Sequence, residues 1–339
     1  MRRCLQLAEL GRGTASPNPM VGSVVVHNGK IIGEGYHHQC GEAHAEVNAI
    51  ASVQDKTLLE KSTIYVNLEP CAHVGRTPAC STLIINSKIP RVVIACVDSF
   101  DKVAGQGIKM LREAGLDVKL GVLEEESLWL NRRFFTFYQK KRPYIILKWA
   151  ETKDGFIDYD RTLETPNATW ITNEQSRALV HKWRTEESAF LVGTQTALKD
   201  NPQLNVRAWS GSSPLRVSVD RKAVFPNHLH LLDDTQKTLL FTSKKPSKAY
   251  NNTDFVILDD TQNIESQILD ELYKREIQSL VVEGGRKVLE AFITQNLWDE
   301  ARVFVGDKHF VSGVKAPIFS HSFSKKVHLA ETELKYYYR

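Results

Sequence analysis

The sequence predicts an α/β protein of two domains, and three observations carry that prediction. The chain has 339 residues, more than one typical domain. Short apolar runs alternate with helical patterns, as βαβ units require, and the alternation starts afresh partway along. Between the two series stands Lys140-Lys141-Arg142-Pro143, a basic break ended by proline, which puts the domains at 1–142 and 143–339. Composition agrees with a core-forming globular chain: 42% of residues are hydrophobic and 25% are charged.

In the first series, Met1 to Leu10 reads as an amphipathic helix, because Gln6 and Glu9 interrupt any signal-like apolar stretch. Val21–His27 and Lys30–His38 read as strands joined by Asn28-Gly29, a strong hairpin signal because both turn residues tolerate positive φ. His44–Val53 reads as a helix, Thr63–Leu68 as a strand, and Pro78–Ser87 as a helix opened by a proline in its first turn. Arg91–Val97 is a strand, Gly107–Glu113 a helix stopped at Gly115, and Glu124–Gln139 one continuous helix.

The second series reads as strands at Tyr144–Ala150, Ala189–Val192, Leu215–Asp220, Thr238–Thr242, Phe255–Leu258, Ser279–Glu283 and Ala301–Val305. Helices fall at Glu174–Thr185, Ile264–Glu276 and Lys287–Gln295. Strands separated by helices imply a largely parallel sheet covered on both faces.

Bulk numbers narrow the function. A net charge of +4 on this length, with dispersed basic residues, argues against nucleic acid as a partner. No apolar run approaches a membrane span, so no membrane partner is expected. Five cysteines, an odd number without secretory context, fit a reducing cytoplasm better than a disulfide framework. Cys4 and Cys96 read as small buried hydrophobes, and Cys40 is not needed as a ligand.

The most informative pattern is His44-Ala45-Glu46 followed by Pro70-Cys71 and Cys80. One imidazole and two thiolates suit Zn²⁺ and leave a fourth tetrahedral corner for water. Glu46, two residues from the histidine, is placed to shuttle protons without ligating. That is the constellation of the zinc deaminases, which hydrolyse an exocyclic amine from a ring carbon. Each ligand falls at a helix start or just after a strand end, and the helix dipole favours thiolate at a helix start. A structural zinc with His73 as fourth ligand is the alternative, and it would leave Glu46 without a use. Base deaminases generally carry Pro-Cys-x-x-Cys; here eight residues separate Cys71 from Cys80, and they include His73 and Arg76, both suited to a polar or phosphorylated substrate. Asn18, between two prolines, and His37, at a strand end, are either pocket residues or ordinary turn and strand-end residues.

The second series says less unaided. Val281-Val282-Glu283-Gly284-Gly285 is a strand running into a glycine pair before a helix, a place where backbone N–H groups can approach a phosphate. Gly-Gly alone is usually only a turn. Arg184 and Arg207 are candidates for a substrate phosphate by guanidinium geometry.

Pro17-Asn18-Pro19-x-Val21-Gly22, Gly35-Tyr36-His37, His44-Ala45-Glu46 and Leu68-Glu69-Pro70-Cys71-x-His73-x-Gly75-Arg76-Thr77-Pro78-x-Cys80 closely resemble the bifunctional riboflavin-biosynthesis deaminase/reductase family. So do Lys148-x-Ala150-x-Thr152-x-Asp154-Gly155, Trp170-Ile171-Thr172, Val192-Gly193-x-x-Thr196-x-x-x-Asp200-x-Pro202-x-Leu204-x-Val206-Arg207 and Val282-Glu283-Gly284-Gly285. The resemblance implies a cytidine-deaminase-like three-layer α/β/α domain followed by a dihydrofolate-reductase-like α/β domain. It implies deamination of 2,5-diamino-6-(5-phosphoribosylamino)pyrimidin-4(3H)-one, then NADPH-dependent reduction of the ribosyl chain. His44, Cys71 and Cys80 would hold one zinc per chain and Glu46 would move protons. Asn18, His37, His73 and Arg76 would line the first substrate pocket. Ala150, Trp170, Thr196, Asp200 and Gly285, Arg286, Lys287, Val288, Leu289, Glu290 and Ala291 would contact NADPH. Lys148, Arg184, Leu204, Arg207 and Glu283 would contact the second substrate. A homo-oligomer, dimer or tetramer, is expected.

Two departures from the family stand out. The segment Phe156 to Thr169 is longer, and Asn167-Ala168-Thr169 stands where a serine usually lies two residues before the tryptophan. Asp220-Arg221 replaces the usual Asp-Ser after the Leu215 strand. Arg221 with Lys222 either holds the 2′-phosphate of NADPH or forms an exposed basic turn.

Overall fold

The structure, a computed structural model, describes residues 1–72, 79–98, 105–161, 169–244 and 248–339. Two compact units follow from the packing, Met1–Lys141 and Arg142–Arg339. Among the described residues no helix is long and apolar enough to cross a membrane.

The first unit runs α1 (Arg2–Glu9), β1 (Gly22–His27), β2 (Lys30–Tyr36), α2 (Ala45–Ser52), β3 (Thr63–Leu68), α3 (Cys80–Asn86), β4 (Arg91–Cys96), α4 (Gln106–Glu113), β5 (Asp117–Lys119), α5 (Glu124–Leu130) and α6 (Arg132–Lys140). Its sheet has the order β2-β1-β3-β4-β5, antiparallel at β2-β1-β3 and parallel at β3-β4-β5. His27 pairs with Lys30 across the two-residue turn, where Asn28 and Gly29 take φ values of 48° and 75°. Strand periodicity then sorts the side chains into three layers. Val25, Ile64, Val66, Val92 and Ile94 meet Ala49 of α2, Ile84 of α3 and Ile108 of α4 on one face. Val24 and Tyr65 meet Cys4 and Leu7 of α1 on the other.

The expected single helix from Glu124 to Gln139 is instead two, α5 and α6, broken at Asn131. The Asn131 carboxamide accepts the Met20 N–H at 2.8 Å and donates to the Met20 carbonyl at 2.9 Å. Asparagine readily trades helical continuity for such backbone pairing.

The second unit contains β6 (Tyr144–Glu151), β7 (Phe156–Asp158), α7 (Glu174–Glu186), β8 (Ala189–Val192), α8 (Thr194–Asp200), β9 (Leu215–Val219), β10 (Thr238–Thr242), β11 (Thr253–Ile257), α9 (Ile264–Lys274), β12 (Ser279–Gly284), α10 (Arg286–Thr294), β13 (Glu300–Val305), β14 (Val314–Lys315), β15 (Lys325–Leu329) and β16 (Thr332–Tyr338). Its main sheet has the order β11-β10-β9-β8-β12-β6-β13-β16-β15, with β11 and β15 outermost. Strands β11 through β13 are parallel, and β16 and β15 close the sheet antiparallel. One face buries Leu147, Leu191 and Val282 with Leu269 of α9 and Phe292 of α10. The opposite face buries Ile146, Phe190 and Val281 with Val180 and Trp183 of α7.

Candidate active sites

In the first unit, the strand-to-helix connections converge their chemistry at one point. His44 is the residue before α2, Glu46 lies in that helix's first turn, Cys71 follows β3, and Cys80 opens α3. Donor atoms of His44, Cys71 and Cys80 all lie within 4.8 Å of one another. His44 Nδ1 is 3.3 Å from Cys80 Sγ and 3.6 Å from Cys71 Sγ. A tetrahedral zinc with its usual Zn–N and Zn–S lengths separates nitrogen and sulfur by about 3.6 Å, so the spacing suits that ion.

The electrostatics agree with a cation. Hydrogen bonds from Cys80 and His44 hold the Cys71 thiol well below its usual range, while Cys71 and burial push the Cys80 thiol up. The pair thus shares a proton between two sulfurs, and a divalent cation is what lets both be thiolates. The Cys80 N–H also points at Cys71 Sγ, 3.3 Å away. Glu46 is buried, and that burial, followed by the Cys71 charge, raises its carboxyl to about 7.

Around this centre the framework is pinned by side-chain to backbone bonds. Glu69, buried two residues before Cys71, accepts N–H groups of Asp98, Gly105 and Ile108 at 3.2, 2.9 and 3.2 Å. It thereby ties the end of β3 to the start of α4. Gly107 lets that helix come close, since a β-carbon there would lie 1.9 Å from the Pro70 carbonyl oxygen. Asn67 and Asn131 clamp the backbone of Met20 and Gly22, just after Asn18.

Asn18 and His37 are brought together, with Asn18 Nδ2 3.0 Å from His37 Nε2. His37 Nδ1 lies 3.1 Å from the Ala43 carbonyl, which only accepts, so that nitrogen carries the proton and Nε2 accepts from Asn18. The His37 ring stands edge-on to His44, with centroids 5.4 Å apart. His73 and Arg76 lie outside the described residues.

The second unit holds a cavity of about 520 Å³ lined by β6, α7, α8 and the turn after α8. It gathers Lys148, Ala150, Trp170, Arg184, Thr196, Asp200, Leu204, Arg207 and Glu283. Glu283 sits between Lys148 at 3.6 Å and Arg184 at 3.3 Å. Burial alone would raise its carboxyl, and the two cations outweigh that and lower it. Arg184 and Arg207 both reach Asn205, one its carbonyl and the other its side chain.

The stretch Gly285 to Ala291 does not line this cavity. It adjoins the cavity at Thr196, whose Oγ1 is 3.0 Å from where a Gly285 β-carbon would stand. With φ of 154° at Gly284 and 58° at Gly285, the backbone there forms a side-chain-free cradle at the start of α10, a shape suited to a cofactor phosphate. Further along the helix, Leu289 is fully buried in the core and Val288 packs against Gly193, so their side chains serve packing. Arg286 pairs with Glu290 at 2.7 Å.

Sequence reasoning missed Arg161, Arg177 and His181. Arg161 binds Asp158 and Asp200, both at 2.6 Å, so Asp200 meets a partner from the segment that departs from the family pattern. Asn167 and Ala168 lie outside the described residues, while the Thr169 hydroxyl donates to Asp158 at 2.7 Å. Arg177 covers the Trp170 ring at 4.7 Å, and both line the cavity with His181. The available signal was spacing, since Arg177, His181 and Arg184 lie at i, i+4 and i+7 on α7. Arg221 pairs with Asp260 at 2.8 Å on the surface.

Residues 1–96 match the cytidine and deoxycytidylate deaminase zinc-binding region, and residues 143–335 match the RibD C-terminal domain. The riboflavin biosynthesis protein RibD of Aquifex aeolicus is 40% identical over 319 residues, covering 93% of this chain and 88% of that protein. Its counterpart from Escherichia coli is 35% identical over 327 residues, covering 91% and 87%. The crystal structure of a diaminohydroxyphosphoribosylaminopyrimidine deaminase/5-amino-6-(5-phosphoribosylamino)uracil reductase from Thermotoga maritima superposes with a TM-score of 0.90 at 37% identity. That superposition covers 99% of this chain and 96% of that one.

Proposed function

Because this chain belongs to the RibD family of riboflavin-biosynthesis proteins, we propose that it is a bifunctional enzyme acting twice on one phosphorylated pyrimidine. The first unit hydrolytically deaminates 2,5-diamino-6-(5-phosphoribosylamino)pyrimidin-4(3H)-one. The second reduces the ribosyl chain with NADPH to give 5-amino-6-(5-phosphoribitylamino)uracil. The observation that carries the reading is the nitrogen and sulfur spacing at His44, Cys71 and Cys80 beside a buried Glu46.

His44 Nδ1 and the two cysteine sulfurs would hold the zinc, which would supply a water of lowered pKa. Glu46, buried beside these donors with a raised pKa, is suited to accept the proton of the attacking water and to return one to the departing amine. Asn18, oriented by His37, faces the pyrimidine edge, with His73 and Arg76 as further contacts. NADPH supplies the hydride of the second reaction. Lys148, held by Glu283, polarises the C1′ carbonyl of the opened sugar, and Arg184 and Arg207 hold the anionic end of the substrate, with Leu204 against it. Ala150, Trp170, Thr196, Asp200 and the start of α10 take the cofactor. The resemblance further supports a homo-oligomer in the cytoplasm, whose reducing conditions preserve the two thiols.

Incubation with the diaminopyrimidine, with and without NADPH, separates the two steps. Ammonia should appear under both conditions and NADPH should be consumed only after deamination. Ammonia without any NADPH oxidation would leave the chain a deaminase alone. No ammonia from the zinc-loaded protein would refute the first assignment.

A further inference from the structure

Helix α7 turns one stripe toward the reductase cavity, carrying Arg177, His181 and Arg184. The middle member differs from its neighbours in charge. His181 is buried, and that burial, together with the nearby Arg184 and Arg207 guanidinium groups, holds its imidazole down to about 4, so the ring is neutral. A neutral imidazole has one donor and one acceptor nitrogen. The Arg207 main-chain N–H meets Nδ1 at 3.4 Å, which makes Nδ1 the acceptor. The same stretch is held from Arg184, whose Nη1 donates to the Asn205 carbonyl at 3.1 Å. Within it Leu204 takes φ 51°, a left-handed conformation seldom adopted by residues with side chains. Such a turn persists only where its surroundings over-determine it.

We propose that His181 is a positioning residue of the reductase: as a neutral acceptor it pins the turn 204–207 and so aims Arg207 at the anionic group of the substrate. The proposal rests on the reading that Arg207 binds substrate. His181 touches no reacting atom. A side chain without an acceptor at that point leaves the Arg207 N–H bare beside two guanidinium groups and lets the turn relax.

The test uses the full chain, with 5-amino-6-(5-phosphoribosylamino)uracil as the varied substrate and NADPH oxidation as the signal. H181N keeps an acceptor, its Oδ1, where Nδ1 stood and should hold KM within about twofold of wild type. H181A removes the acceptor, and H181F fills the space without one. Both should raise KM about fivefold to tenfold, the worth of one buried hydrogen bond, with kcat and the NADPH Kd nearly unchanged. If H181F does not fold, as judged by lost NADPH binding, the contrast of H181A with H181N decides. Equal KM values for H181A, H181N and wild type overturn the proposal. R207Q separates the layers: an unchanged KM there defeats the assignment of Arg207, whereas a raised KM there with an unchanged KM in H181A defeats only the role of His181.

Discussion

Glu46 is the buried carboxylate beside the His44, Cys71 and Cys80 cluster without being a donor in it, and the proposed deamination assigns it the proton shuttle. Glu46→Gln keeps shape and removes the proton shuttle. Ammonia release should fall by about 10²–10⁴-fold while bound zinc per chain, read by elemental analysis, stays the same. Ammonia production that survived this change would reassign the shuttle. His181 gives a second prediction at this scale. Its imidazole pKa lies near 4 in the folded chain against about 6.5 when unfolded. The folded state therefore binds fewer protons between those values, and stability is lost as pH falls through them. Urea melts of the full chain should show the second unit's transition in wild type losing more stability than in H181N between about pH 7 and about pH 4. Equal losses would mean that the ring titrates normally in the fold.

At the scale of elements, the approach of α4 to the end of β3 is set by Gly107. Gly107→Ala places a β-carbon 1.9 Å from the Pro70 carbonyl, and backbone on both sides has to move. A loss of about 2–4 kcal/mol is expected, together with weaker zinc retention in a chelator competition, because Cys71 is the next residue. How far the sequence discloses such elements depends on how local their cause is. The Asn28-Gly29 hairpin and the helices flanking the zinc ligands are written in neighbouring residues, and they stand where those residues put them. The break at Asn131 depends on Met20, far away in the chain, so no local pattern marks it. Strands β15 and β16 escaped notice for a related reason. Their turn at Ala330 and Glu331 carries no glycine or asparagine, and Lys325-Lys326 reads as solvated chain. That His44, Cys71 and Cys80 come together was legible because these residue types are rare and their order is specific. The cavity residues Arg177 and His181 were not, because a basic stripe on a helix is ordinary until the fold shows what it faces.

For the whole molecule, the zinc cluster is built from residues of Met1–Lys141 and the described cavity from residues of Arg142–Arg339. Stripping the metal with dipicolinate should therefore abolish ammonia release and lower the melting temperature of the first unit. Oxidation of NADPH by substrate already deaminated should continue at its former rate, and a parallel loss would show that the second reaction also needs the ion. The nine-stranded sheet carries one last consequence. Its outermost strand, β15, pairs with no strand on its far side among the described residues, and an edge of that kind can template a further strand. Lys325, Lys326 and His328 stand exposed along it. A second strand laid along it would have to strip water from the Lys325 and Lys326 ammonium groups, which disfavours that pairing.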